Sequence, residues 1–226
     1  MIDYTKILII RVDILRLEKL SQLDFVNQVS EKTGLLANKK VAEYHHCKIT
    51  IYDSGTVLFT GSIHKMYNSI KGIKAPNYSS QKNYKGYNGN QFTLTQIFEI
   101  RNHLCKLFDC RPHQMKFQNI EFGINTIIDF DPQLFILGLL YHRGKPFEFR
   151  YNRSYAEVNH TRYRIKIYNK SEQYRIDEWT LRIELSHNKQ EDFNITGIKT
   201  FEDVNKNNLE KALNHILKRF DEVVYY

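Results

Sequence analysis

Between His45 and Ile63 the chain alternates polar and apolar residues on both sides of Asp53-Ser54-Gly55. Alternation at a period of two sends successive side chains to opposite faces of a sheet, and a short turn containing Gly between two such runs is a hairpin signature. The pattern recurs. Residues 6–14 (KILIIRVDI), 116–128 (KFQNIEFGINTII), 147–152 (FEFRYN), 161–170 (TRYRIKIYNK) and 180–189 (TLRIELSHNK) all read as strands.

Helical spacing appears between them. Phe25, Val26 and Val29 predict a helix over 24–32 with Gly34 as its C-cap, and DPQLFILGLLYH (131–142) predicts a second. Thr93 or Thr95 caps a third, with Ile97, Ile100, Leu104 and Leu107 on one face. A fourth runs from Asn208 to Phe220 on the stripe Leu209, Leu213, Ile216 and Leu217. Residues 69–90 mix Lys, Asn, Tyr, Ser and Gly and read as a long exposed loop. The expected fold is α+β, one nuclease-like domain over 1–226. Two β-α-β-β-like units, 6–68 and 117–170, form one mostly antiparallel curved sheet with helices on one face.

Both units end in a KxYN string, Lys65-Met66-Tyr67-Asn68 and Lys166-Ile167-Tyr168-Asn169. This reads either as an internal duplication, with halves of about 1–110 and 111–226, or as two similar units of common supersecondary geometry.

Composition narrows the class. Of 226 residues 42% are hydrophobic, with 15 Tyr and 14 Phe against only 4 Pro, so the chain can bury a core and suits a sheet. Lys and Arg exceed Asp and Glu by 33 to 25. A net charge of +8 favours a polyanion partner, although a merely solvated basic surface would look the same. Cys47, Cys105 and Cys110 show no zinc-type spacing and read as reduced thiols. No apolar run approaches the ~20 residues of a membrane span, and MIDYTKILIIRVDIL reads as a charge-broken strand, not a leader. The expectation is a cytoplasmic protein with no membrane association.

The chemistry-bearing residues concentrate in the second half. In YRIKIYNK, strand alternation puts Lys166, Tyr168 and Lys170 on one face. A phenol between ammonium groups sits in a field that favours phenolate, whereas the plainer reading is a tyrosine that packs. Glu121 in NIEFGIN and Glu184 in LRIEL are acids within apolar strands, costly unless paired or bound to a cation. Arg182 shares a face with Glu184, so a salt bridge is as natural there as a metal. Glu121 has no evident cation near it in sequence, which points to metal. Asn125 shares its face, and His64 is a third candidate ligand. His45 and His46 are adjacent and point to opposite faces, a poor arrangement for chelation.

FGIN, IKIYNK and LRIEL, in that order, resemble motifs of the plasmid rolling-circle replication initiators and of the related filamentous-phage gene II replication endonucleases. The resemblance covers roughly residues 57–200. It implies a nicking tyrosine at Tyr168, an acidic strand at Glu121, and an arginine and glutamate at Arg182 and Glu184. Gly61, Ser62, His64, Lys65 and Asn68 echo a further string of the phage branch. Asn125 stands where a second acid is common, and the chain is shorter than typical members, which implies that an origin-binding or C-terminal part lies outside it. Tyr151 and Tyr155 mimic the paired tyrosines of other rolling-circle nucleases, but there the pair sits on a helix and here it follows a strand.

The activity implied is nicking and joining of DNA at a replication origin through a 5′-phosphotyrosyl link. Glu121, Glu184 and His64 would hold Mg²⁺ or Mn²⁺, with Lys166, Lys170 and Arg182 around the reacting groups. Lys65, Asn68, Lys71, Lys82 and Lys85 would hold single-stranded DNA or an origin hairpin, and a host replication helicase is an implied partner. The alternative is a non-catalytic DNA-binding protein of a plasmid, phage or other mobile element with the same fold. RNA is not separated from DNA by anything in the sequence.

Overall fold

The computed structural model describes residues 2–30, 33–79, 85–187 and 190–226. The first half contributes strands β1 (Ile2–Ile9), β2 (Val26–Val29), β3 (Leu36–Tyr44), β4 (Cys47–Tyr52) and β5 (Val57–Ser62), and helices α1 (Ile14–Glu18), α2 (Ile63–Ile70) and α3 (Leu94–Phe108). The second contributes β6 (Met115–Ile127), α4 (Pro132–Leu137), β7 (Leu139–His142), β8 (Lys145–Pro146), β9 (Glu148–Arg150) and β10 (Tyr155–Asn159). It continues with β11 (Tyr163–Asn169), α5 (Lys170–Tyr174), β12 (Thr180–His187), α6 (Lys206–Phe220) and β13 (Val223–Tyr225).

Ten of the described strands form one open, curved sheet in the order β2-β3-β4-β5-β1-β6-β12-β11-β10-β9, with every neighbouring pair antiparallel. A small second sheet runs β13-β7-β8. The fold is α+β, as expected. Around the central β1–β6 pair the order is the same on both sides: β1-β5-β4-β3-β2 one way and β6-β12-β11-β10-β9 the other. The KxYN strings do not share in that correspondence. Tyr67 lies on α2, whereas Tyr168 lies on β11, whose counterpart in the order is β4.

Strand parity divides the sheet into an apolar and a polar face. Ile7, Phe59, Phe122, Ile167 and Leu185 point to the apolar face and are buried. There Phe108 of α3 meets Phe59 edge to face, His215 of α6 stacks on His187, and α4 packs on β11. Helix α3 buries Ile97, Ile100, Leu104, Leu107 and Phe108. At about 1.5–3 kcal/mol for each side chain buried, that stripe holds the helix far more firmly than its Thr93–Gln96 capping box does. Among the described residues no helix is long and apolar enough to cross a membrane.

Several local expectations are corrected. The segment expected as a helix over 24–32 holds strand β2, because Val26 and Val29 pair with β3 at the sheet edge; Lys32 lies outside the described residues. SIHKMYN is a helix, not a strand, since the Ser62 hydroxyl accepts from Lys65 N and starts α2 directly after β5. DPQLFILGLLYH is helical only to Leu137, then turns at Gly138 into β7. The first strand begins at Ile2 and ends at Ile9, before Arg11 adopts a positive φ of 57°. The 69–90 stretch is not uniformly exposed: Ala75, Tyr87 and Asn88 are buried.

Candidate metal and nucleophile site

The polar face of the sheet carries the candidate site. Register aligns Glu184 with Gly123 and Lys166, Arg182 with Asn125 and Tyr168, and Ser186 with Glu121. The even-numbered residues of β11 and β12 therefore meet the odd-numbered residues of β6 over one patch. From the other side β1 brings in Asp3, beside an irregularity in its pairing with β6 between Ile2 and Thr5. Asp3, Glu121 and Glu184 are all buried, and each offers a carboxylate oxygen within 4.8 Å of the others.

Arg182 is the hub. Fully buried, it donates from Nε to Glu184 Oε1 (2.8 Å), from Nη2 to Asp3 Oδ2 (2.8 Å) and from Nη1 to Asn125 Oδ1 (2.8 Å). Gly123 makes room for it, because a Cβ there would lie 2.5 Å from Nη2. Lys166 donates to Glu121 and, at 3.2 Å, to Glu184 Oε2. Tyr168 donates its phenol proton to Glu184 Oε1 at 2.7 Å. The Lys170 ammonium lies 5.0 Å from the centre of the Tyr168 ring and donates to Asn88 Oδ1 at 2.6 Å. Asn88 also donates to Asp3 (2.6 Å), and Asn125 donates to the Gly89 carbonyl (3.1 Å). A loop thus reaches the acids and ties Asp3 to Lys170, the residue that follows β11.

Burial would raise both glutamates, and their mutual repulsion divides the outcome between them. Glu121 is pushed up to about 8 by burial and by Glu184, with Lys166 opposing. Burial also works against the Glu184 anion, yet Arg182, Lys166 and Lys170 outweigh it and hold this carboxyl well below its ordinary range. Burial pulls Lys170 down to about 7, helped by Arg182. Lys166 goes up despite burial, because Glu184 and Glu121 face it.

The phenol of Tyr168 is pushed well above its ordinary value, first by burial and then by Glu184. Sequence alternation had the two lysines favouring phenolate. Lys166 does share the Tyr168 side of the sheet, but Lys170 is not in the strand: β11 ends at Asn169, which caps α5, and Lys170 is the first residue of that helix. The Lys166 ammonium goes to the carboxylates and that of Lys170 lies over the ring, so neither bonds the phenol oxygen. The expectation that Glu121 lacks a cation is likewise corrected, since Lys166 reaches it from β11 across β12.

Three carboxylates and no soft donor make a set suited to a hard divalent cation such as Mg²⁺ or Mn²⁺. The electrostatics fit that use: burial and Glu184 push the Glu121 carboxyl up, which a cation would counter, and Lys166 lies between two of the acids. No family model matches the chain, and no curated protein matches its sequence.

His64 does not join the acids. It lies on α2, buried, stacked on Phe92 at 4.6 Å with Nε2 2.9 Å from Asn90 Oδ1, and burial pulls its imidazole down to about 4. Asp3 takes the third place, and the acid in MIDYTKIL was its only signal in the sequence. Asn68 is buried, giving its amide to the Tyr87 carbonyl and Asn90, so it holds the loop instead of facing solvent. Lys65 donates to the Lys85 carbonyl, Lys71 pairs with Glu99 at 2.8 Å, Lys85 is exposed, and Lys82 lies outside the described residues.

A cavity of about 480 Å³ opens over Tyr168, lined also by Tyr151, Tyr155, Lys166, Glu172 and Glu184. A larger groove of about 940 Å³ passes Gly89, Asn125 and Thr180, but none of the three clustered acids lines it. The smaller cavity is the one that reaches the reactive groups.

Proposed function

We propose that this protein is a metal-dependent DNA nicking and joining enzyme of the rolling-circle initiator kind, with Tyr168 as nucleophile. The observation that carries the reading is the phenol of Tyr168, 2.7 Å from Glu184 at the edge of a buried three-carboxylate cluster and facing a cavity. Asp3, Glu121 and Glu184 would hold Mg²⁺ or Mn²⁺. Such an ion would supply polarisation of a phosphate oxygen and, beside Glu184, would offset the negative charge that raises the phenol.

The residues of the chain do the rest. Glu184 accepts the hydrogen bond that orients the phenol; Tyr168 gives up its proton to solvent through the cavity and its oxygen attacks phosphorus. The P–O3′ bond breaks as the P–O(Tyr) bond forms, and the 3′ oxygen leaves with the electron pair and takes up a proton. Arg182 holds Glu184 in place as acceptor. Attack by a 3′-hydroxyl on the phosphotyrosine reverses the step and rejoins the strand. The basic balance of the chain (+8) suits a polyanionic substrate.

The test is covalent capture. Wild-type protein incubated with a broad single-stranded DNA pool and Mg²⁺ or Mn²⁺ should form a denaturation-resistant adduct, and Tyr168→Phe should abolish it while retaining DNA affinity. An adduct persisting in Tyr168→Phe would remove the assignment. One observation favours a second reading, a non-catalytic DNA-binding protein: Lys166 and Arg182 already pair with all three acids without any ion. Wild-type protein that binds the pool and forms no adduct would favour it.

A further inference from the structure

The turn joining β9 to β10 has a costly backbone. Tyr151, Asn152 and Arg153 have φ of 52°, 51° and 63°, three successive residues in the left-handed region and none of them glycine. A Cβ disfavours that region, and a bulky aromatic residue there is uncommon. The conformation is imposed from outside. Gln133 of α4 donates to the carbonyls of Asn152 (3.2 Å) and Arg153 (2.9 Å), and both the hydroxyl (2.8 Å) and the amide (3.0 Å) of Ser154 donate to the Tyr151 carbonyl. Strain that neighbouring groups hold in place clusters at active sites and ligand clamps.

What the turn aims is Tyr151. Its residue is 74% exposed, at the mouth of the cavity over Tyr168. The rings form a series from solvent inward: Tyr151 meets Tyr155 at 5.9 Å between centroids, and Tyr155 meets Tyr168 at 5.6 Å. The middle ring is fixed, because Tyr155 donates to Glu157 at 2.6 Å and that buried carboxylate is also held by Arg150 at 2.7 Å. A tyrosine needed only to cover Tyr155 would be buried on it. This one leaves most of its surface in water.

We propose that Tyr151 is a stacking platform for one unpaired nucleobase of a single strand whose adjoining phosphate lies at Tyr168. Aromatic faces bind bases with little sequence preference, and a base paired within a duplex has no free face to offer. The inference rests on the nicking reading for the location of that phosphate. It adds a base-contacting residue, Tyr151, and with it a requirement that the bases beside the phosphate be present and unpaired.

The full-length protein would be titrated at fixed salt against two fluorescent probes of one length, a mixed-sequence single-stranded DNA pool and an abasic sugar-phosphate oligomer. Wild type should bind the base-bearing pool about tenfold more tightly, within the range of stacking on one aromatic ring. Tyr151→Ala should bind both probes alike, and Tyr151→Trp should keep the preference. The inference is overturned if Tyr151→Ala retains the wild-type preference or if wild type shows none. Adduct formation reports on Tyr168 independently. A Tyr151-dependent preference without any adduct would remove the nicking reading and leave the platform, whereas an adduct with no such preference would do the reverse.

Discussion

Replacing Lys166 by Met keeps an unbranched side chain and removes the ammonium that bridges Glu121 and Glu184. Breaking a buried ion pair by deleting one partner costs ~3–5 kcal/mol when the other is left charged. Here the cost should be smaller, because burial and Glu184 push the Glu121 carboxyl up to about 8, which favours its neutral form. The main loss is the 3.2 Å contact to Glu184, which retains Arg182 and the Tyr168 hydroxyl. We expect Lys166→Met to lose about 2–3 kcal/mol of unfolding free energy at pH 7 without divalent ions.

A cation held by the three acids would then offset the loss. Binding at one hundred times its Kd adds ~2.7 kcal/mol to stability. In Lys166→Met it would take the place of the missing ammonium, whereas in wild type it must displace one. Urea unfolding with and without Mg²⁺ or Mn²⁺, against NaCl at matched ionic strength, should show the variant gaining more than wild type. If neither ion stabilises Lys166→Met beyond the NaCl control, the acids are a structural charge cluster, and the metal reading fails with them.

Gly123→Ala should displace Arg182, because the new methyl would lie 2.5 Å from Nη2 and 2.6 Å from Cζ of a side chain pinned by several bonds. The expected loss is about 3 kcal/mol, read by denaturant unfolding, with Arg182→Lys in the Gly123→Ala background recovering part of it. His187 is 1% exposed and, by burial and then by His215 and Arg219, its imidazole is pulled down to about 3. Its folded value lies below the unfolded one, so the stability it contributes is present above ~6.5 and is lost as pH falls. That amounts to at most about 2 kcal/mol between pH 6.5 and 5. His187→Phe should flatten this acid slope, and an unchanged slope would show that other groups set it.

What the sequence made legible was governed by local rules. Alternation placed Ile165 and Ile167 on one face and Lys166 and Tyr168 on the other, and Arg182 and Glu184 together on the next strand, as observed. The Thr93 helix and the turn at Asp53-Ser54-Gly55 were equally readable. Errors arose where a short segment fits two periods. Ile63, Met66 and Tyr67 have helical spacing although they directly follow a strand, and the Ser62 cap decides the matter. Val26 and Val29 fit a helix as well as a strand, and only pairing with β3 selects the latter.

The site itself shows a different limit, that of contacts far apart in sequence. Glu121 looked free of cations because no lysine or arginine lies near it along β6, and nothing in the sequence says that β11 is two strands away. The ordering β6-β12-β11 puts Lys166 beside it, through a glutamate on the intervening strand. Asp3 is the sharper case. Regular alternation along β1 carries no information about the pairing irregularity between Ile2 and Thr5, yet that is where Asp3 lies, with Arg182 179 residues further along the chain. A three-acid cluster drawn from β1, β6 and β12 depends on the two halves of the sheet meeting at the β1–β6 seam. The first strand therefore contributes to the candidate site as well as to the scaffold, and the three-acid cluster cannot be assembled from the second half alone.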